Sequence, residues 1–292
     1  MLSESYIFII IKDNISPLIM IPDYFVQHKG TRIAVYDHGE ESAPVLFFLH
    51  GNSLGAFSFE KQFQYLESKH YRCIALDLPG HGNSGKAPPS MYSMRYFTKI
   101  INEFVKESDL QKILFVGHSF GGHLLLESCG ELNQVMKGLV IFGTPPMQSP
   151  PDFASMFFEN DAAGLLFRDN LDEHEIAVFG KAFIRPQAEL PQSISHSIRN
   201  ADPAMRHSIG VDLMAGNTKN EATIIADLKV PVAILHGQED QLVNAAYFQT
   251  LVIPSLWENK IHLIPRAGHS PQIEQSWIFN QLLNEVCQFV FK

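Results

Sequence analysis

The sequence predicts an α/β protein, with a mostly parallel central sheet covered by helices on both faces and an inserted helical cap. Three observations lead to this fold. From residue 24 onward, short apolar runs alternate with segments of helical spacing. Each run is apolar on both faces, which is typical of strands buried between two helical layers. Residues 143–231 carry no strong strand pattern, and this stretch is too long for a simple connection.

The predicted strands follow one another along the chain. Residues 24–36 show two-residue alternation around a turn at His28, Lys29 and Gly30, which predicts an antiparallel hairpin. Six further strands are predicted from short apolar runs at residues 45–49, 73–76, 113–116, 139–142, 232–235 and 261–264. Helical spacing predicts helices at Leu124, Leu125, Cys129 and Leu132 and at Ile278, Leu282, Val286 and Phe289.

The order of these elements predicts how the chain is divided. Residues 23–146 and 221–292 form the α/β core in this prediction, and residues 147–220 form the helical cap. We expect helices in the cap because a structureless loop of that length would be unusual in a compact domain. Residues 1–22 precede the core as an N-terminal extension.

The extension contains two apolar runs, at residues 6–11 and 18–21, and both are too short to span a bilayer. No basic residue precedes the first run, and no small-residue cleavage site is evident, so a secretory signal is the less favoured interpretation. We predict a cytoplasmic protein without stable membrane insertion. We also predict that removing residues 1–20 leaves its activity intact.

Composition excludes some partners. The formal net charge is −9 and the isoelectric point is about 5.8, so phosphate backbones repel the protein and nucleic acid is not an expected partner. The three cysteines form no Cys-x-x-Cys pair, and Cys73 and Cys129 lie within apolar runs. They are predicted to be buried thiols in a reducing compartment. The sequence predicts no oligomeric state.

A serine motif follows the run at 113–116. The sequence GHSFGG at 117–122 separates that predicted strand from a predicted helix. Its glycines permit a tight strand-to-helix turn, which exposes the hydroxyl of Ser119, and the helix N-terminus offers N–H groups to negative charge. This context predicts that Ser119 is a nucleophile. A serine that only caps the helix is the structural alternative.

A serine nucleophile needs a base and an acid, and each candidate follows a predicted strand. His269 lies after the run at 261–264, and Asp240 lies after the run at 232–235. The histidine would take the serine proton, and the carboxylate would fix the histidine tautomer. Glu239 is adjacent to Asp240 and is the alternative acid.

An oxyanion intermediate needs N–H donors. We predict the backbone N–H of Phe120 and that of Asn52, in HGNS at 50–53, with the Asn52 side chain as an extra donor to substrate. His50 is expected to order this loop, and DLPGHGNS at 77–84 is expected to shape a neighbouring loop. The predicted substrate pocket is formed by Ser53, His118, Phe157 and Phe167.

Together these motifs resemble the α/β-hydrolase family over residues 24–292. The matching pieces are HGNS at 50–53, DLPGHGNS at 77–84, GHSFGG at 117–122, HGQED at 236–240 and AGHSP at 267–271. The resemblance implies a serine triad, no metal or cofactor, and a cap that shapes the pocket. Members with an aspartate nucleophile, such as haloalkane dehalogenases and epoxide hydrolases, are disfavoured because Ser119 occupies that position.

A narrower resemblance is to the N-acyl-homoserine lactonases of this fold. It rests on HGNSLGAFSF at 50–59, YSM at 92–94, GTPP at 143–146 and LWENKIHLIPRAGHSP at 256–271, and the cap is not matched. It implies hydrolysis of a lactone by the same residues. The sequence contains neither the H-x-H-x-D-H run of zinc lactonases nor a phosphate-binding G-x-x-x-x-G-K-[ST] loop.

The sequence thus predicts a serine hydrolase that acts on a small-molecule ester or lactone. Two alternatives remain open. The same residues would serve a carbon–carbon bond hydrolase or a cofactor-free lyase, since contacts in the cap decide the reaction. A non-enzymatic ligand receptor with a hydrolase fold is the other alternative.

Overall fold

The structure is a computed structural model that describes residues 20–292. Of the predicted extension, residues 1–22, only residues 20–22 fall within this range. The apolar run at 6–11, most of the run at 18–21 and the effect of removing residues 1–20 therefore lie outside the described residues.

Eight strands form one sheet in the order β1-β2-β4-β3-β5-β6-β7-β8. Their bounds are β1 Tyr24–His28, β2 Thr31–His38, β3 Val45–Leu49, β4 Arg72–Leu76, β5 Ile113–His118, β6 Met136–Phe142, β7 Val232–Gly237 and β8 His262–Ile264. Strands β1 and β2 form the antiparallel hairpin, and β2 pairs antiparallel with β4. All other pairings are parallel. The mostly parallel sheet predicted from the apolar runs is confirmed.

Ten α-helices accompany the sheet in the described residues. They are α1 Glu60–Glu67, α2 Met94–Glu107, α3 Phe120–Leu132, α4 Phe153–Met156, α5 Glu173–Ala182, α6 Gln192–Asn200, α7 Pro203–Met214, α8 Glu221–Asp227, α9 Pro271–Glu274 and α10 Ser276–Val290. None of the helices within residues 20–292 is both long and apolar enough to cross a membrane.

Alternation along the strands divides the core into two layers. In β3, Phe47 packs into the cluster that contains Phe97 of α2 and Leu124 of α3. The next residue, Phe48, points to the other face, into the cluster that contains Phe63 of α1 and Phe279 of α10. Helices therefore cover both faces of the sheet, as predicted. Cys73 and Cys129 are buried free thiols, and so is Cys287.

Between β6 and β7 the chain forms helices α4 to α8 and contributes no strand to the sheet. Part of this stretch has a core of its own, in which Phe179 and Phe183 pack against Ile194 and Ile198. Leu54, in the loop after β3, belongs to the same cluster, so these helices pack against that loop. Helical structure is what the length of this stretch predicts, and we keep residues 147–220 as our prediction for the cap.

Candidate active site

Ser119 occupies a strained turn between β5 and α3. Its φ is 49° and its ψ is −118°, a conformation that non-glycine residues rarely adopt. A side chain at Gly121 would overlap the carbonyl of Leu49, and a Cβ at Gly117 would lie 2.5 Å from the Cα of Gly122. The glycines of the motif are therefore required by close packing, and the turn leaves Ser119 half-buried at the carboxyl edge of the sheet.

His269 follows β8 and is held by Asp240, which follows β7. The His269 Nδ1 and the Asp240 Oδ2 are 2.8 Å apart. The other carboxylate oxygen accepts the N–H groups of Leu242 at 2.8 Å and Val243 at 3.1 Å. Burial raises the pKa of Asp240, but the charge and hydrogen bond of His269 outweigh it and hold that pKa below its usual value. The ionised carboxylate accepts Nδ1–H, which leaves Nε2 of His269 for chemistry.

Between the two predicted acids, the geometry selects Asp240 as the partner of His269. Glu239 is half-buried and its backbone N–H donates to the carbonyl of Ala267 at 2.8 Å. Within residues 20–292, the Glu239 carboxylate makes no hydrogen bond to His269.

Ser119 and His269 both lie against the end of β6. The N–H of Ser119 donates to the carbonyl of Phe142 at 2.9 Å, and the following residue, Gly143, faces the imidazole of His269. A Cβ at Gly143 would lie 2.7 Å from Cε1 of that ring, so only glycine leaves the ring in place. The described residues contain no hydrogen bond between the Ser119 hydroxyl and His269. Such bonds often tighten only in the complex with substrate.

His118 has a role that the sequence did not reveal. Its Nε2 donates to the carbonyl of His269 at 2.9 Å, and its ring stacks on Phe142 at 4.8 Å. Burial keeps the pKa of His118 well below its usual value, so the ring is neutral. The prediction that His118 lines the pocket is wrong, because the ring is fully buried behind the site. Through this hydrogen bond His118 holds the His269 loop against the end of β5, directly before Ser119.

The two predicted oxyanion donors flank the serine. Neither the backbone N–H of Asn52 nor that of Phe120 donates a hydrogen bond to another described residue. The Asn52 side chain is engaged elsewhere, since its Nδ2 donates to the carbonyl of Leu166 in the cap at 2.8 Å. It holds the cap rather than standing free as an extra donor. His50 orders the loop as expected: its Nδ1 donates to the Gly51 carbonyl at 2.8 Å.

The prediction that Ser53 lines the pocket is also wrong. Its side chain is fully buried and donates to Oδ1 of Asn52 at 3.0 Å. It also lies 3.4 Å from Nη1 of Arg206, so it belongs to the support of the loop rather than to the pocket wall.

Arg206 of α7 is a further residue that the sequence did not reveal. Its buried guanidinium donates to the carbonyls of Arg168 at 3.1 Å, Asp169 at 2.7 Å and Ile198 at 3.1 Å. Burial lowers the pKa of Arg206. Through Ser53 it connects the cap to the loop that carries Asn52, across 153 positions of sequence.

A cavity of about 490 Å³ lies between the cap and Ser119. Phe157 and Phe167, which the sequence analysis assigns to the substrate pocket, line this cavity. Its walls are mostly apolar, and the other apolar residues that line it include Met94, Met147, Phe153, Phe158, Leu166, Ile209, Leu213 and Leu242. Four of its residues carry polar side-chain groups, namely Asn52, Ser119, His123 and Glu159. The arrangement suits a ligand with an apolar tail and a polar group at Ser119.

No group of three or more His, Cys, Asp or Glu side chains in the described part of the chain is arranged to hold a metal ion.

Comparisons with known proteins agree with this fold. A family model of the alpha/beta hydrolase fold matches residues 44–276. A crystal structure of a mutant of the N-acyl homoserine lactonase AidH, complexed with N-hexanoyl homoserine lactone, superposes with a TM-score of 0.83 and 27% sequence identity. That superposition covers 90% of this chain and 96% of the lactonase.

Two curated relatives point to different reactions. A bifunctional esterase/perhydrolase of Acinetobacter calcoaceticus is 26% identical over 75% of this chain and 83% of its own length. A putative 2-succinyl-6-hydroxy-2,4-cyclohexadiene-1-carboxylate synthase of Bacillus subtilis (strain 168) is 24% identical over 88% of this chain and 94% of its own length. The fold is thus shared by enzymes of several activities.

Proposed function

The chain belongs to the α/β-hydrolase family, and on that premise we propose that it is a serine hydrolase that cleaves a carboxylic ester or a lactone. Ser119, His269 and Asp240 form its triad. One observation carries this proposal: the His269 ring, held by Asp240 at 2.8 Å, is fastened next to a strained serine that borders an apolar cavity.

The proposed reaction proceeds through an acyl-enzyme. Ser119 Oγ attacks the carbonyl carbon while Nε2 of His269 takes the hydroxyl proton, and Asp240 stabilises the imidazolium. The N–H groups of Asn52 and Phe120 receive the oxyanion. The intermediate collapses as His269 gives the proton to the departing alkoxide, which in a lactone stays tethered to the acyl group. Water, deprotonated by His269, then releases the acid and restores Ser119.

As substrate class we propose the N-acyl-homoserine lactones. The cavity supports this choice because its phenylalanine and leucine side chains match an acyl chain, and its polar groups are few. The likeness to the AidH lactonase supports it as well. We also propose that the protein works in the reducing environment of the cytoplasm, where its three buried thiols would persist.

The test is incubation with N-butanoyl- and N-decanoyl-homoserine lactone, with mass spectrometry to follow the gain of one water. We expect both lactones to open. Ser119→Ala should lower kcat by several orders of magnitude, on the order of 10⁴-fold or more. Circular dichroism of the variant verifies that it is folded.

Parallel assays separate the proposal from its alternatives. Hydrolysis of p-nitrophenyl esters without any lactone opening would retain the serine hydrolase and discard the lactonase. Cleavage of a diketone alone would favour the carbon–carbon bond hydrolase. Turnover of esters by Ser119→Ala at the wild-type rate would overturn the triad. Tight binding of a lactone without any turnover would favour a receptor.

A further inference from the structure

A second pair of a carboxylate and an imidazole lies beside the same cavity. His123 lies on α3, four residues after Ser119, and its Nδ1 is 2.8 Å from Oε2 of Glu221 at the start of α8. The backbone N–H of His123 donates to the carbonyl of Ser119 at 3.2 Å, so the two residues are one helical turn apart along the chain. His123 and Ser119 both line the cavity, so the imidazole borders it one helical turn from the serine.

Glu221 is buried completely, and its contacts define the state of His123. Its Oε2 also accepts the N–H of Met147 at 2.9 Å, and its Oε1 has no hydrogen-bond partner in the described residues. No Lys or Arg within residues 20–292 forms an ion pair with it. Because a buried carboxylate needs hydrogen-bond donors, Nδ1 of His123 carries a hydrogen and donates it in a hydrogen bond to Oε2 of Glu221.

The other ring nitrogen is then available to a ligand. Nε2 of His123 makes no hydrogen bond to any described residue, although the ring is only 12% exposed. Met147, Phe153, Phe157 and Leu213 form one apolar cluster in the lining of this cavity, and their side chains offer Nε2 no partner. A single oriented nitrogen in an apolar wall is the pattern of a group that recognises one polar substituent.

We propose that His123, oriented by Glu221, is a specificity-determining residue that binds a hydroxyl group on the acyl chain of the substrate. A hydroxyl suits both states of the ring, since it donates to the neutral Nε2 and accepts from the protonated one. The class we propose is the 3-hydroxyacyl lactones, whose acyl chain would lie along the apolar lining that surrounds His123, and this choice rests on the proposed function.

The test compares kcat/KM for N-(3-hydroxyhexanoyl)- and N-hexanoyl-homoserine lactone. For the wild-type protein we expect the hydroxylated lactone to be preferred about tenfold, the usual contribution of one hydrogen bond. Two variants form a matched pair. His123→Asn keeps an amide near the position of Nδ1, toward Glu221, and lacks Nε2. His123→Gln keeps a polar group near the position of Nε2 and lacks the contact with Glu221.

We expect the preference to fall to about onefold in His123→Asn and to persist in part in His123→Gln. A structural role alone would lower stability or overall rate and leave the preference unchanged. A wild-type preference near one, or a preference retained in full by His123→Asn, overturns the proposal.

A binding measurement distinguishes a failure of this inference from a failure of the proposed function. Calorimetric titration of Ser119→Ala with both lactones measures the same preference without turnover. If no lactone is opened but the hydroxylated one binds about tenfold tighter, the proposed reaction fails and the subsite stands. Equal binding of the two lactones, or none, overturns the subsite. If His123→Asn does not fold, the wild-type and Ser119→Ala preferences decide.

Discussion

Two pairs of a buried carboxylate and a histidine border Ser119, and they differ in what they place next to it. Asp240–His269 and Glu221–His123 have the same Nδ1–oxygen distance, 2.8 Å. In both, the carboxylate fixes the proton on Nδ1 and leaves Nε2 as the working nitrogen. By chemistry alone the two pairs are equivalent.

Their surroundings make them different. The hydrogen bond from His118 holds the His269 loop against the end of β5, directly before Ser119, and Gly143 makes room for the His269 ring. His123 is instead on the side of α3, one turn from the serine and among apolar cap residues. A carboxylate–histidine pair therefore becomes a candidate base only where the fold brings its Nε2 to a nucleophile. Elsewhere on the cavity wall it is a recognition group.

Asp240→Asn disrupts the first pair, and it should have the largest effect on kcat. An amide leaves the His269 ring in the wrong tautomer, so we expect kcat for lactones and esters to fall by about 10³ to 10⁴-fold. Steady-state kinetics with N-hexanoyl-homoserine lactone measures the loss. Glu239→Gln is the matched control, because this adjacent carboxylate makes no hydrogen bond to His269 in the described residues, and we expect its kcat within about threefold of wild type. Equal losses in the two variants would contradict the assignment of Asp240.

The residues of the first pair were predictable because each follows a short apolar strand. The carboxyl ends of parallel strands meet at one edge of a sheet, so Ser119, Asp240 and His269 are expected to converge there. The same reasoning places Asn52 beside the serine. It fails for the adjacent residues Ser53 and His118, because proximity in sequence does not determine which way a side chain points at a strand end.

The second pair was not predictable, because it depends on the path of the cap. His123 and Glu221 are 98 positions apart and meet only because α8 returns to α3 after the inserted helices. Arg206 reaches Ser53 in the same way, across 153 positions. Glu221 and Arg206 belong to no motif, so sequence spacing carries no signal for such contacts. Sequence also does not distinguish apolar cap residues that line the cavity from those that pack the cap: Phe153 and Phe158 line the cavity, whereas Met156 is buried away from it.

Glu221→Gln applies the same chemical change to the second pair, and we expect its main effect on stability. The amide weakens the charge-assisted bond to His123 and the bond to Met147, which should cost about 1–3 kcal/mol of unfolding free energy. Urea unfolding followed by fluorescence measures it. If the unfolding free energy does not change while kcat falls as far as in Asp240→Asn, the two pairs are not distinct in role.

The smallest expected effect is a pH dependence that belongs to the first pair. The pKa of Asp240 is lower in the folded chain than its usual value, because His269 outweighs the effect of burial. The folded state therefore binds this proton less readily than the unfolded state, and the ionised carboxylate stabilises the fold at pH values above its unfolded pKa of about 3.9. That stabilisation is lost as the pH falls through the lower, folded pKa. The difference in unfolding free energy between wild type and Asp240→Asn should then be larger at pH 7 than at pH 3, as measured by urea unfolding at each pH. A difference that stays constant, or grows toward acid pH, would show that His269 does not lower the pKa of Asp240 and would remove the electrostatic basis for pairing them.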